Sequence, residues 1–255
     1  MIRYPGGKNK ISSQIMSFIP NGIEFREPFF GGGAIGLKVL KEGRFSKYWF
    51  NDLDKHLVAL WLAIQNAPEQ LCKMINNFAP QVDDFEIISN YLLKSNDSGI
   101  KEGFFKLVIH QISYSGLGMM AGGPIGGKKQ QSKYSIGCRW SPDYLIKKIK
   151  TINKLLSEND VKFTSLDYSE LLADDCFLFL DPPYFNKGEQ LYQYGFTGKH
   201  EELANKLKGR KNWFLCYDDC SEVRQLYNWA QIKEIDIKYS INGSINKKEL
   251  LIRNV

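Results

Sequence analysis

The sequence predicts an α/β fold with a mostly parallel seven-stranded sheet and an inserted, mainly helical lobe. Seven short runs rich in aromatic and β-branched residues are bounded by turn signals, and helical patterns lie between most of them. Strands that alternate with helices indicate βαβ units, whose strands run parallel. The alternation is interrupted between about Pro68 and Pro142, so the lobe is predicted there.

The seven runs are predicted as buried strands because each combines apolar side chains with flanking turn residues. In chain order they are Glu24–Phe29, Lys47–Asn51, Val161–Ser165, Phe177–Leu180, Trp213–Tyr217, Ile232–Tyr239 and Leu250–Asn254. The helices are predicted from apolar residues at three- and four-residue spacing, as in Ile11, Ile15 and Ile19 before the stop at Pro20. The helical segments are Lys8–Phe18, Gly33–Lys41, Leu57–Gln65, Tyr144–Leu156, Glu201–Leu207 and Glu222–Trp229.

The interrupted stretch has a helical pattern up to Tyr114 and then becomes irregular. Residues 115–141 hold seven glycines together with basic and polar residues. A loop of this length in a compact domain is usually functional or disordered. We therefore divide the chain into a domain formed by residues 1–66 and 142–255 and a lobe formed by residues 67–141.

The composition is that of a globular protein. Of 255 residues, 43% are hydrophobic and 24% are charged, and no uninterrupted apolar stretch is long enough for a transmembrane helix. The first ten residues lack the apolar core of a secretory signal. Five cysteines without a CxxC pair and three scattered histidines argue against disulfides and a metal site, and predict a reducing cytoplasm. The net charge of +6 suits a polyanionic partner without proving one.

A carboxylate, two prolines and a tyrosine follow the apolar run Phe177–Leu180; they are Asp181, Pro182, Pro183 and Tyr184. Ligands of open α/β sheets collect beyond the carboxyl ends of the strands, which places this tetrapeptide at that edge. The exocyclic amino nitrogen of adenine is a poor nucleophile because its lone pair is delocalised into the ring. A carboxylate and a backbone carbonyl that accept its two N–H groups would remedy this, and an aromatic face would hold the base. The alternative is an ordinary proline-containing turn.

A glycine-rich turn follows the first predicted strand, and residues 27–36 read EPFFGGGAIG. Glycines allow a ligand to approach the backbone closely, and the helix that follows offers free N–H groups. Gly31, Gly33 and Gly36 satisfy the G-x-G-x-x-G pattern, which alone is a weak signal for a dinucleotide. A plain tight turn remains the alternative.

Three aspartates follow predicted strands. Asp52 lies 21 residues after Gly31, where an acidic residue commonly holds the ribose of a nicotinamide dinucleotide or of S-adenosylmethionine. Either Asp52 or Asp54 could instead cap the following helix, a role that Asp54 fits better. Asp167 could accept a hydrogen bond from the adenine of a cofactor, or it could cap a short helix at Tyr168–Leu172.

A short turn opens the chain, and residues 3–8 read RYPGGK. An aromatic residue, two glycines and a lysine before a helix could approach a carboxylate or a phosphate of a ligand. Taken alone, the segment is better interpreted as an ordinary turn.

In their order, these motifs resemble the Dam-like family of DNA adenine-N6 methyltransferases of the alpha group. The resemblance covers most of the chain and rests on residues 4–8, 27–33, 51–54 and 181–184 and on a closing ELLIRN segment, residues 249–254. It implies a Rossmann-like methyltransferase domain, S-adenosylmethionine as cofactor, base flipping and direct in-line transfer. The residues that it implies for the cofactor are Tyr4, Lys8, Glu27, Pro28, Phe29, Gly31, Gly33, Asp52, Asp167 and Asp181, and those for the chemistry are Asp181, Pro182, Pro183 and Tyr184.

The family places its DNA-recognition lobe between the ribose-binding motif and the catalytic tetrapeptide, where this chain has residues 67–141. Members that read GATC carry an aromatic Asn-Gly segment, whereas this chain has Ser113–Gly118 and Gly137–Trp140, which argues against GATC. Basic residues of the irregular segment are expected to contact phosphates of double-stranded DNA, and the arginine also suits guanine. They are Lys128, Lys129, Lys133 and Arg139.

The resemblance implies a cytoplasmic enzyme that acts on double-stranded DNA, and we expect a monomer. It leaves open whether a separate restriction endonuclease accompanies the enzyme.

Three alternative functions remain at this point. The substrate could be RNA adenine or a glutamine amide, with the same cofactor. The glycine loop and Asp52 would also suit an NAD-dependent oxidoreductase, although the tetrapeptide would then be unexplained. A non-enzymatic DNA-binding module is the third.

Overall fold

The structure is a computed structural model that describes residues 4, 7–172, 175–185, 194–239 and 245–254. For residues 237–239 and 245–247 the backbone alone is described. Met1, Ile2, Arg3, Pro5 and Gly6, most of the opening turn, lie outside the described residues.

The described strands form one seven-stranded sheet in the order β3-β2-β1-β4-β5-β7-β6. Strand β1 pairs in parallel with β2 and β4, β4 pairs in parallel with β5, and β7 runs antiparallel to both β5 and β6. The first five positions repeat the order of the Rossmann fold, so the mostly parallel α/β sheet is confirmed. The strands are β1 Gly22–Glu27, β2 Phe45–Asn51, β3 Asp160–Thr164, β4 Phe177–Leu180, β5 Trp213–Asp218, β6 Gln231–Tyr239 and β7 Ile245–Arg253.

Each predicted strand is found, and the largest difference concerns β7, which begins five residues before the predicted Leu250. The extra residues pair with β6 and extend the hairpin beyond β5. This part includes Asn246, Lys247 and Lys248, whose polarity gives no signal of a buried strand. Backbone pairing with β6 therefore sets the start of β7.

The described α-helices are α1 Ser12–Met16, α2 Gly36–Lys41, α3 Lys55–Asn66, α4 Pro68–Asn76, α5 Asp84–Lys94, α6 Ile100–Ile112, α7 Pro142–Ser157, α8 Lys199–Leu207 and α9 Ser221–Leu226. The predicted helix at Lys8–Phe18 is shorter than expected, because a 3-10 turn at Lys8–Lys10 precedes α1. Helix α2 begins three residues after the predicted Gly33, whose φ of 69° is incompatible with a right-handed helix.

The chain forms two compact units. The helical unit contains residues 31–33 and 54–165 and the described residues before Lys8, and the sheet unit contains residues 8–30, 34–53 and 166–255. The helical unit is larger than the lobe predicted at residues 67–141, because α3 and α7 pack against α6 and α4. Strand β3 also belongs to the helical unit.

The core of the helical unit depends on a close contact between α3 and α6. A Cβ atom at Gly103 would lie 2.7 Å from the backbone nitrogen of Leu60 and 2.8 Å from the carbonyl oxygen of Ala59, so only glycine fits. Asp54 caps α3 as predicted, since its carboxylate accepts hydrogen bonds from the backbone N–H groups of His56 and Leu57, each at 3.1 Å. The same carboxylate forms a buried ion pair with Lys106 at 2.5 Å.

Candidate active site

The sheet unit collects carboxylates at one edge of its sheet. The parallel strands β1, β4 and β5 end there, and Glu27 is the last residue of β1, Asp181 follows β4, and Asp218 is the last residue of β5. Because β7 is antiparallel to β5, its residue Glu249 lies opposite Asp218 at the same edge. The strand directions thus bring four acidic residues from distant parts of the chain to one side of the sheet.

Lys8 holds the Asp181 carboxylate. The ammonium nitrogen lies 2.6 Å from Oδ1 and 2.8 Å from Oδ2 of Asp181, and only 3% of the lysine is exposed. Burial raises the pKa of Asp181 to about 6; the Lys8 charge opposes this shift, and the Glu249 charge adds to it. Burial also disfavours the charged form of Lys8, but Asp181, Tyr184 and Glu249 outweigh it and raise the Lys8 pKa well above its ordinary value.

The hydroxyl of Tyr184 is held on two sides. It accepts a hydrogen bond from Lys8 Nζ at 2.9 Å and donates one to Glu249 Oε1. The Lys8 ammonium also lies 4.8 Å from the centre of the tyrosine ring. Pro182 is buried, and the amide of Phe185 donates to Asp218 Oδ1 at 3.0 Å, so the residues that flank the tyrosine are themselves anchored.

Glu27 is a buried carboxyl group with spare hydrogen-bonding capacity. It is 3% exposed, and its Oε2 accepts no hydrogen bond from any residue that the structure describes. Burial, and secondarily the charge of Asp181, raise its pKa well above the ordinary value, while the Gly36 amide opposes the shift. An atom that carries positive charge would find an unused acceptor here.

Gly36 permits this arrangement. A Cβ atom there would lie 2.4 Å from Glu27 Oε2, 2.6 Å from Phe50 and 2.7 Å from Phe30. The start of α2 can therefore approach the end of β1 only with a glycine at this position.

Two further predicted residues, Pro28 and Phe29, follow β1 and are fixed by neighbours in the sheet unit. The Phe29 ring stacks on Tyr168 with centroids 5.6 Å apart. The side chain of Asn51 donates to the carbonyls of Pro28 and Leu166, at 3.1 and 3.0 Å, and its Oδ1 accepts the amide of Leu166. Asn51 was not among the predicted site residues, although it precedes Asp52 at the end of β2; it ties two loops of this edge together.

The aspartates proposed for a cofactor differ in their surroundings. Asp52 is partly exposed at the end of β2, and its charge acts on Glu27. Asp167 caps the short helix at Tyr168–Leu171, since its Oδ1 accepts the Ser169 amide at 3.1 Å. Its Oδ2 accepts a hydrogen bond from Lys199 at 2.7 Å. These bonds outweigh burial and lower the pKa of Asp167 below its ordinary value.

The remaining residues predicted for the cofactor, Tyr4, Gly31 and Gly33, lie in the helical unit. Gly31 has a φ of 50°, and a Cβ atom on it would lie 3.0 Å from the Tyr4 ring. The carbonyl of Gly31 accepts a hydrogen bond from Trp61 Nε1 at 3.0 Å. The Tyr4 ring packs against His110 with centroids 5.2 Å apart, at the end of α6. The Tyr4 ring therefore packs close to Gly31, where any side chain would crowd it.

The four basic residues predicted to bind DNA are all exposed on the helical unit. Lys128 forms a solvent-exposed ion pair with Glu86 at 3.2 Å. Arg139 ends a 3-10 turn at Ile136–Arg139 and lines a cavity of about 490 Å³ together with residues of α3, α6 and α7. Lys129 and Lys133 lie in the irregular segment between α6 and α7.

In the described parts of the chain, no cluster of His, Cys, Asp or Glu side chains has the arrangement of a metal site. None of the described helices is long and apolar enough to cross a membrane.

Comparison with known proteins gives a consistent result. The family model for D12 class N6 adenine-specific DNA methyltransferases matches residues 4–241. The chain is 22% identical over 295 aligned positions to the type II methyltransferase M.MjaIII of Methanocaldococcus jannaschii, which covers 99% of this chain and 98% of that protein. It is 26% identical over 229 positions to the modification methylase StsI of Streptococcus sanguinis, which covers 81% of this chain and 32% of that protein.

Among solved structures, the precorrin 8w decarboxylase of Methanobacterium thermoautotrophicum aligns over 96% of this chain and 90% of its own. The sequence identity is 10% and the TM-score is 0.38, so this match carries no argument about function or fold.

Proposed function

The chain belongs to the family of D12 class N6 adenine-specific DNA methyltransferases, which use S-adenosylmethionine to methylate adenine in DNA, and we propose that Asp181, Pro182, Pro183 and Tyr184 carry out the transfer. The observation that carries this proposal is the Asp181 carboxylate, held by the buried Lys8 at the edge of the sheet and next to Tyr184.

The tetrapeptide has the groups that this chemistry needs. The Asp181 carboxylate and the Pro182 carbonyl accept the two hydrogens of the adenine amino group, which frees the lone pair of the nitrogen for attack. Tyr184 stacks on the base after it has left the duplex. With a pKa of about 6, Asp181 is ionised at neutral pH and accepts the proton that the amino nitrogen loses.

The residues around Glu27 suit the cofactor, which when bound supplies an electrophilic methyl group for direct in-line transfer. Glu27 is buried with a free carboxylate oxygen, a suitable partner for the positively charged methionine end. Asp52 binds the ribose hydroxyls, and Pro28 and Phe29 shape the neighbouring surface. We assign cofactor binding also to Lys8, Asp181 and Asp167 in the sheet unit, and to Tyr4, Gly31 and Gly33 in the helical unit.

Residues 67–141 form the part that recognises a specific DNA sequence. Lys128, Lys129, Lys133 and Arg139 bind the phosphates, and their exposure on the helical unit supports this role. Because Lys128 already pairs with Glu86, it contributes less than the other three.

The biological setting is also part of the proposal. The enzyme works as a monomer in the cytoplasm, and its DNA substrate supports this location. The names of the two relatives, a type II methyltransferase and a modification methylase, support a partnership with a separate restriction endonuclease of the same recognition sequence.

The test is Asp181→Ala with tritiated S-adenosylmethionine and mixed-sequence DNA. Loss of the amino-group acceptor should slow transfer by on the order of 10²- to 10⁴-fold. Asp236→Ala is the matched control, because Asp236 is an exposed aspartate on β6. Near-normal transfer by Asp181→Ala, with cofactor binding intact by isothermal titration calorimetry, would refute the assigned role.

A further inference from the structure

Glu249 is a buried carboxylate that the proposed chemistry does not use. It lies on β7 opposite Asp218 and is 2% exposed. The residues that follow it, Leu250, Leu251 and Ile252, are apolar and fully buried or nearly so. A carboxylate in such surroundings costs free energy unless it is hydrogen-bonded or paired. We therefore expect the buried Glu249 carboxylate to have a hydrogen-bonding partner in the site.

The partner is the Tyr184 hydroxyl, which donates its hydrogen to Glu249 Oε1. The other carboxylate oxygen, Oε2, lies 4.0 Å from the Lys8 ammonium, which itself donates to the tyrosine oxygen at 2.9 Å. Lys8 thus donates to the hydroxyl oxygen, and Glu249 accepts the hydrogen bond that the hydroxyl donates. The two bonds fix the position of the hydroxyl oxygen, and because a phenol O–H prefers to lie in the plane of its ring, their directions favour one ring orientation.

We propose that Glu249 is a positioning residue for methyl transfer: together with Lys8 it fixes the Tyr184 ring in the plane on which the flipped adenine stacks. The proposal rests on the stacking role assigned to Tyr184 in the proposed function. The prolines at positions 182 and 183 stiffen the backbone before the ring, and Glu249 holds the opposite end, so the ring is restrained at both ends.

The consequence concerns the transition state more than cofactor binding. A ring that is free to rotate still provides an apolar surface, but it no longer holds the amino nitrogen in line with the methyl group. Small misplacements of a reacting group cost up to about 10²-fold in rate. Loss of Glu249 should therefore lower kcat and leave the KM for S-adenosylmethionine unchanged.

A double-mutant cycle tests the proposal. Glu249→Leu removes the acceptor, Tyr184→Phe removes the hydroxyl, and the double variant removes both. Each should lower kcat by on the order of 10- to 100-fold, and the double variant should be no slower than either single variant, because the hydrogen bond between Tyr184 and Glu249 is lost in all three. Glu249→Gln retains an acceptor oxygen at the same reach and should recover most of the rate. Glu234→Gln, an exposed glutamate on β6, is the control.

A second measurement reports on the base itself. The methylated adenine is located by sequencing DNA from an expressing host and is then replaced by 2-aminopurine in an oligonucleotide. Stacking on a fixed Tyr184 ring quenches the fluorescence of 2-aminopurine. DNA bound to Glu249→Leu or to Tyr184→Phe should therefore fluoresce more strongly than DNA bound to the wild-type protein, and by the same amount in both variants.

Additive effects of the two substitutions, or an unchanged kcat in Tyr184→Phe, would overturn the proposal. The second result is decisive even if Glu249→Leu does not fold, because Tyr184→Phe breaks the same bond from the other side. Both results are distinct from failure of the proposed function, which would appear as normal transfer by Asp181→Ala.

Discussion

At the scale of single residues, the Lys8 ammonium faces three largely buried carboxyl groups, those of Glu27, Asp181 and Glu249. The three carboxylates together would carry more negative charge than one ammonium can balance. Burial is the main cause of the raised pKa values of Glu27 and Asp181, and the neighbouring carboxylate charges add to it. At the cofactor site that we propose here, the sulfonium and ammonium groups of S-adenosylmethionine would supply the missing positive charge.

The pH dependence of kcat should report the protonation of Asp181. Its carboxylate must be ionised to accept the amino hydrogens, so kcat should fall as the pH drops through about 6. The Lys8 charge lowers the pKa of Asp181, so Lys8→Met should shift the acid limb to higher pH. The measurement is kcat at saturating substrates between about pH 5 and pH 8. Lys248→Met, on the exposed face of β7, is the control, and an acid limb that stays in place in Lys8→Met would contradict the assignment.

At the scale of secondary-structure elements, the junction of β1 and α2 determines the shape of the site. Positive φ angles at Gly31 and Gly33 turn the chain, and Gly36 lets α2 begin against Glu27 and Phe50. The three glycines that suggested a dinucleotide pattern thus have separate physical roles. Two set the path of the backbone, and the third removes a side chain from a crowded position.

Gly36→Ala should destabilise the protein. The new Cβ would meet Glu27, Phe50 and Phe30 at distances of 2.4 to 2.7 Å, so the aromatic core beside α2 must shift. Overpacking of this kind costs about 1–3 kcal/mol in the free energy of unfolding, as measured by chemical denaturation. Gly137→Ala, where the Cβ meets nothing within 4 Å, should change it by less than about 0.5 kcal/mol. Equal stability of the two variants would contradict this account.

The elements also show what could be predicted from the sequence. The buried strands β4 and β5 were located to within one residue, because continuous apolar runs mark them clearly. The start of β7 was missed because pairing with β6, and not burial, determines it. The contact between Lys8 and Asp181 joins residues 173 positions apart, and no local pattern reveals such a contact. Glu249 was noted only as part of a closing motif, because its partner Tyr184 is known only from the fold.

At the scale of the whole molecule, the resemblance of the motifs implied adenine methylation in DNA, whereas composition and single motifs did not. The charge of +6 and the glycine loop were compatible with a nicotinamide enzyme or a simple DNA-binding module. The family match over residues 4–241 decides for adenine methylation in DNA. The residues proposed for methyl transfer lie in the sheet unit, and those proposed for DNA binding lie in the helical unit.

The salt dependence of DNA binding should locate the phosphate contacts. If Lys129 and Lys133 each neutralise one phosphate, replacing either by alanine should make the slope of log K, the DNA association constant, against log salt concentration less negative by about 0.9. Fluorescence anisotropy of labelled DNA between about 50 and 200 mM salt measures this slope. Lys94→Ala, on the exposed end of α5 in the same unit, should leave it unchanged. The same slope in all three variants and the wild-type protein would remove these lysines from the interface.

The position of β7 between β5 and β6 has a consequence for the order of folding. Strand β6 is made before β7 but joins the sheet through it, so it must wait for the later strand. The Tyr184 hydroxyl likewise acquires its acceptor 65 residues further along the chain. A nascent chain that has left the ribosome only as far as β6 would carry Lys8 and Asp181 without the strand that completes their surroundings. The surroundings of Lys8, Asp181 and Tyr184 are therefore complete only after β7 has been made and has inserted between β5 and β6.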